Sequence, residues 1–155
     1  MTVAGPTMQM SELITPDQIL DQASFADKSS AIRQLASRAG ELSNVSASTI
    51  EQALNTREAL GSTGVGQGIA IPHARIEGLS KFLGVFARLA KPIDFASVDG
   101  KPSDLIFLLL IPSNAASQQV AALALISRRL RDKAVLEAMR AASGRAELYQ
   151  LLIGP

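Results

Sequence analysis

The chain has 155 residues, a length that fits one domain with a sizeable core. Hydrophobic residues make up 47% and charged residues 19%, the balance of a globular protein rather than a disordered one. A net charge of +1 gives no electrostatic case for nucleic acid or an anionic membrane, and the absence of cysteine excludes disulfides, thiolate metal sites and cysteine nucleophiles.

Residues 1–11 read as a loose tail, leaving one domain over residues 12–155. The opening MTVAGPTMQM lacks the basic and apolar regions of a signal peptide. The longest apolar runs, residues 105–111 and 120–126, are too short to span a bilayer, so the expectation is a cytoplasmic protein without membrane insertion. Residues 18–23 suit an edge strand. Asp27 or Ser29 can cap a helix with Ile32, Leu35, Ala36 and Ala39 on one face and Gly40 as its stop. A second helix begins near residues 46–48, where Ser48-Thr49-Ile50-Glu51 has capping-box spacing. Its apolar stripe is Ile50, Ala53 and Leu54, and Arg57 falls on the same face, seven residues beyond Ile50. An inward guanidinium needs an anion. No partner is obvious nearby in sequence, which makes Arg57 a candidate ligand-binding residue.

The stretch TREALGSTGVGQGIAIPHAR follows, holding the only histidine, His73, and four glycines within eight residues, Gly61, Gly64, Gly66 and Gly68. Such a density of glycine implies a tightly folded loop, whose amides can form an anion nest. The Ile69-Ala70-Ile71 triplet reads as a short buried strand delivering His73 to its end, with Pro72 setting the exit angle. A glycine loop, a guanidinium and one imidazole together suggest a phosphoryl group on a histidine. Equally, the loop is a plain helix-to-strand connection and the histidine a surface residue. The loop is not a Walker A motif, because no Gly-Lys-Ser/Thr follows, and a dinucleotide fingerprint would need a strand before it and a helix after. One imidazole makes a poor zinc or iron site, so neither a metal nor a cofactor is expected.

Strand-like runs come next over residues 82–89 and 104–111. The second is apolar at every position from Leu105 to Ile111, as a central strand covered on both faces would be. Residues 91–95 and 99–102 read as turns. From Ala115 the pattern turns helical, with Val120, Leu123, Ala124, Ser127 and Leu130 on one face, and Arg128, Arg129 and Arg131 form a solvated, dipole-matched end. Two shorter helices occupy residues 134–141 and 145–152. Helices alternating with a few strands, one fully buried, indicate a layered α/β domain.

The run from Arg57 to Gly64, with Gly68-Ile69-Ala70-Ile71-Pro72-His73, resembles the type-2 enzyme IIA domain of the bacterial phosphotransferase system. The likeness continues through Gly84-Val85-Phe86, Pro92-Ile93-Asp94-Phe95 and Leu148-Tyr149-Gln150. This resemblance implies a mixed sheet between helices. It also implies relay of a phosphoryl group from phosphoenolpyruvate, through enzyme I and a small histidine phosphocarrier, to His73 at Nε2, with Nδ1 hydrogen-bonded to a backbone carbonyl. Arg57 and the loop amides, with Gly64, Gly66 and Gly68, would hold the phosphate; Ser62 and Thr63 either hydrogen-bond it or serve as turn residues. The family has a second histidine near the active one, and an ungapped count puts Gln119 there, which can hydrogen-bond but not titrate near neutrality. The branch most alike is the nitrogen-related regulatory one, whose targets would be transporters or sensor kinases. A fructose- or mannitol-type enzyme IIA, needing a IIB partner, is the alternative, and a phosphate- or nucleotide-binding module without covalent chemistry the third. The family further suggests an apolar contact surface around His73, which Ala74, Ala115, Ala116 and Ala121 would fit.

Overall fold

The apolar run at residues 105–111 is the centre of a six-stranded mixed sheet. The structure is a computed structural model that describes residues 8–154. In chain order its elements are β1 (Ile19–Ala23), α1 (Lys28–Leu42), α2 (Ala47–Glu58), β2 (Gly64–Gly66), β3 (Ile69–Ala70), β4 (His73–Ile76), β5 (Leu83–Ile93), β6 (Ser103–Pro112), α3 (Gln119–Leu130), α4 (Lys133–Ala141) and α5 (Arg145–Ile153). Spatial order is β1-β5-β6-β3-β2, with β4 also paired to β6. β5 runs antiparallel to β6, whereas β3 and β4 follow one another along its other edge, both parallel to it. β1 is the edge strand beyond β5, as residues 18–23 predict.

Alternation along β6 splits the interior into two layers. Ile106, Leu108 and Leu110 pack with Ile32, Leu35, Ile50 and Leu54 of α1 and α2. Leu105, Phe107, Leu109 and Ile111 pack with Ile126, Met139, Leu148 and Leu152 of α3, α4 and α5. Every residue from Leu105 to Ile111 is fully buried, which explains why the run shows no polar alternation. Phe107 lies against Phe86 with ring centroids 6.2 Å apart. Removing such a ring costs about 3–5 kcal/mol in lost transfer energy and cavity.

Local signals behave unevenly. Asp27 caps α1 through the amide of Ser30, but the helix does not stop at Gly40; it runs on to Leu42. Gly40 instead lets α2 approach, since a Cβ there would sit 3.1 Å from the backbone nitrogen of Ala47. The cap of α2 is Ser46, which accepts from the amide of Thr49, so the capping-box residue Ser48 lies inside the helix. β5 continues through Pro92, where residues 91–95 suggest a turn, and its pairing with β6 slips between Arg88 and Ile93. A proline is tolerated at such an irregularity because no ladder hydrogen bond is lost. α3 buries Ala122, Ile126 and Leu130, leaving Val120 exposed, so its inward face is rotated from the one expected. Of the expected N-terminal tail, residues 1–7 lie outside those described, whereas Met10 opens a short 3-10 turn and is buried beneath α5 and its neighbours.

Candidate functional site

Pro72 separates His73 from the strand whose end it is expected to occupy. β3 ends at Ala70, and His73 begins β4, pairing with Leu109 of β6. Ala74 and Ile76 point into the α1/α2 core, so by alternation His73 and Arg75 share the opposite face. β4 pairs only with β6 among the described residues, and its free edge lies between the end of α2 and the start of α3. A depression of roughly 570 Å³ opens there, lined by His73, Arg57, Leu60, Arg75 and Gln119 together with polar residues of α2.

The imidazole of His73 is half-buried, with Nδ1 2.9 Å from the carbonyl oxygen of Ile71. A carbonyl can only accept, so Nδ1 carries the proton and Nε2 is left with its lone pair. Burial holds the pKa below the ordinary histidine value; the Ile71 carbonyl pulls it upward, the charge of Arg57 downward, and that of Glu58 upward. The ring is therefore a neutral base near pH 7 with a defined free nitrogen.

Arg57 sits in the last turn of α2, half-buried, and donates through Nη1 to the carbonyl of Gly61 at 2.9 Å. No salt bridge to it occurs among the described residues. The guanidinium thus faces the same depression as His73 with donors to spare. Gln119, the first residue of α3, lines the depression from the other side, its Oε1 receiving a 2.8 Å hydrogen bond from Nε of Arg75.

The glycine-rich segment is built differently from the cradle expected of it. Residues 64–70 form a hairpin in which Gly66, Gln67 and Gly68 all have positive φ, +99°, +58° and +82°. This tight turn lies near the start of β6, since Ile69 pairs with Leu105 while His73 pairs with Leu109. A Cβ on Gly66 would meet the Asp99 carboxylate, and one on Gly68 would meet Arg140 and Asp104. The amide of Gln67 bonds Asp99, that of Gly64 bonds the Ser62 hydroxyl, and that of Thr63 bonds both carboxylate oxygens of Glu58. Ser62 donates its hydroxyl to the carbonyl of Phe95 at 2.6 Å, whereas the buried Thr63 hydroxyl has no partner among the described residues. Ser62, Thr63, Gly64, Gly66 and Gly68 are thus engaged with Phe95, Glu58, Asp99, Asp104 and Arg140, and none of them lines the depression that holds His73.

Two residues at the site escape the sequence reading. Glu58, beside Arg57, anchors the loop and pairs with Lys28 at 2.9 Å, whose ammonium rests 4.8 Å from the ring centroid of Phe95. Arg75 is signalled only by its spacing of two from His73, which matters once β4 is known to be a strand. Of the large exposed apolar side chains, Leu60 lines the opening at 82% exposure and Val120, 79% exposed, follows Gln119; Ala121 is exposed, Ala74 is buried, and Ala115 and Ala116 are half-buried. Among the described residues no group of His, Cys, Asp and Glu could hold a metal, and no helix is long and apolar enough to cross a membrane.

A family model, the EIIA 2 component of the phosphoenolpyruvate-dependent sugar phosphotransferase system, matches residues 12–154. The chain belongs to this family of phosphocarrier domains. It is similar to a nitrogen regulatory protein of Bradyrhizobium diazoefficiens, 41% identical over 148 residues that cover 96% of this chain and 97% of the relative. Among solved structures, nitrogen regulatory protein IIA-Ntr of Neisseria meningitidis superposes with a TM-score of 0.87 at 33% identity, covering 92% of this chain and 98% of that one. A complex of the mannitol enzyme IIA with phosphorylated enzyme IIB from Escherichia coli shares the fold, with a TM-score of 0.73 at 21% identity, covering 92% of this chain and 98% of that one.

Proposed function

We propose that a single domain over residues 12–155 accepts a phosphoryl group on Nε2 of His73 from the phosphohistidine of a small carrier protein, and that this group controls which regulatory proteins it binds. The observation that carries the proposal is a neutral imidazole, its Nδ1 committed to Ile71, facing a shallow opening that it shares with Arg57, which has no salt-bridge partner among the described residues. In the transfer, the Nε2 lone pair forms the new N–P bond while the donor's N–P bond breaks and its pair returns to the donor imidazole. The proton on Nδ1 stays in place, held by the Ile71 carbonyl, so no separate base is needed. In-line phosphoryl transfer asks the protein for positioning and for stabilisation of charge on the equatorial oxygens. Arg57 meets that need as a forked cation that exchanges the Gly61 carbonyl for the phosphoryl oxygens.

An open depression lined by the exposed Leu60, with the exposed Val120 following Gln119 in the chain, suits brief contact with a protein donor. Phosphorylation places roughly two negative charges at its centre. A partner whose contact patch is apolar or acidic is then repelled or desolvated at a cost. The similarity to nitrogen regulatory proteins favours a regulatory output over sugar transport. The test compares the partners retained by the unphosphorylated protein with those retained by the phosphorylated protein and by His73→Asp. Loss of at least one partner in both of the latter is the expected result; identical sets and affinities in all three contradict charge-controlled release.

A further inference from the structure

Arg75 and Gln119 form a pair at the mouth of the site that the two main roles, acceptor and anchor, do not use. Nε of Arg75 donates to Oε1 of Gln119 at 2.8 Å, joining β4 to the first residue of α3. A guanidinium has only donors, so the atom of Gln119 facing it must be the amide oxygen. That contact fixes the amide's orientation. It leaves the NH2 group, which makes no hydrogen bond among the described residues, as the polar end of Gln119 available to the depression that His73 and Arg57 line. Without Arg75 the amide would be free to turn over and present an acceptor, which a phosphoryl oxygen would repel.

We infer that Arg75 is a positioning residue, locking Gln119 so that its amide donates to the phosphoryl group on His73 from the side opposite Arg57. This rests on the phosphoryl-transfer proposal above. Two consequences distinguish the pair from a titrating side chain at position 119. An amide does not titrate, so the donor at position 119 is present whatever the pH. The pair also acts as one unit, because Arg75 contributes through Gln119 and not through a contact of its own.

The experiment is single-turnover transfer from the phosphorylated histidine carrier at several pH values, using the wild-type protein, Arg75→Ala, Gln119→Ala, the double variant and Gln119→Glu. Each Ala variant is expected to slow transfer about tenfold, the worth of one charge-assisted hydrogen bond made in the transition state. The double variant should be no slower than Gln119→Ala alone, because interacting residues are not additive. Gln119→Glu keeps an oxygen for Arg75 but removes the donor, so it should be at least as slow. The ratio of wild-type to Gln119→Ala rates should stay the same at every pH, because an amide donor does not titrate. If the wild type is labelled while Arg75→Ala matches its rate, or if the two Ala effects multiply, Arg75 does not work through Gln119. If the wild type takes no label at all, the phosphoryl-transfer proposal fails, and this one with it.

Discussion

The Nδ1 atom of His73 lies 2.9 Å from the carbonyl oxygen of Ile71, two residues upstream across Pro72. Because β3 ends before the proline and β4 starts after it, the imidazole lies back against the connection between the two strands. That one contact sets the tautomer, and hence which nitrogen keeps a free lone pair. The phosphorylated protein should therefore carry its phosphoryl group on Nε2. Two-dimensional proton–nitrogen spectra of the phosphoprotein would show a protonated Nδ1 and a substituted Nε2; the reverse pattern would contradict the assignment.

The same imidazole should titrate below about 6.5 in the folded protein, since burial is the largest influence and Arg57 adds to it. As the only histidine, it gives an isolated signal in a proton NMR titration. The sign for stability follows from the unfolded chain binding its proton more readily. This site costs nothing well above pH 6.5 and becomes destabilising as pH falls through 6.5 toward the lower folded value. Arg57→Ala should move the titration upward, because it removes a neighbouring positive charge.

Arg57→Lys tests the anchor. A lysine retains the charge but not the fork, and its compact ammonium cannot bridge two phosphoryl oxygens as a guanidinium does. Transfer should slow by about tenfold or more, equivalent to at least ~1.4 kcal/mol in the barrier. The melting temperature should change little, since the only hydrogen bond lost within the fold is the exposed one to Gly61. A large loss of stability with normal transfer would mean that Arg57 serves the fold.

Stability depends on a different arginine. Arg88 of β5 is nearly buried and grips Asp21 of β1 with two hydrogen bonds, 2.6 and 2.8 Å, while Nη1 bonds the carbonyls of Met139 and Ala142 at the end of α4. The hydrogen bonds from Arg88 hold the Asp21 carboxyl below the usual range, against the effect of its own burial. Its contribution is present above about pH 4 and is lost as pH falls through the depressed folded value. Asp21→Ala strands a buried cation and should cost about 3 kcal/mol in urea unfolding at neutral pH, leaving the site untouched. An unchanged midpoint would show that solvent reaches Arg88 freely.

How far the sequence can be read depends on the kind of signal. The central strand is legible because seven consecutive apolar residues, Leu105 to Ile111, suit only a strand buried on both faces. The same property hides the inward face of α3: residues 120–126 are all apolar, so no periodicity chooses Ile126 over Val120. Arg57 is legible through its spacing from Ile50, and His73 through being the sole imidazole. β4 is not, because Pro72 interrupts the alternation that would have placed Arg75 beside His73. The glycines signal a tight turn correctly, yet only the register of β3 and β4 along β6 reveals that this turn sits beyond Leu105 while His73 sits beside Leu109. Nor does any local pattern pair Arg75 with Gln119, which are 44 positions apart.

On the proposed function, His73 accepts a phosphoryl group from a histidine carrier. The most direct measurement is intact mass after incubating the purified protein with phosphoenolpyruvate, enzyme I and the carrier, alongside His73→Ala. One phosphoryl group, labile to acid and stable to alkali, should appear on the wild type and none on the variant. Labelling of His73→Ala, or no labelling of the wild type while the carrier itself is phosphorylated, would contradict it.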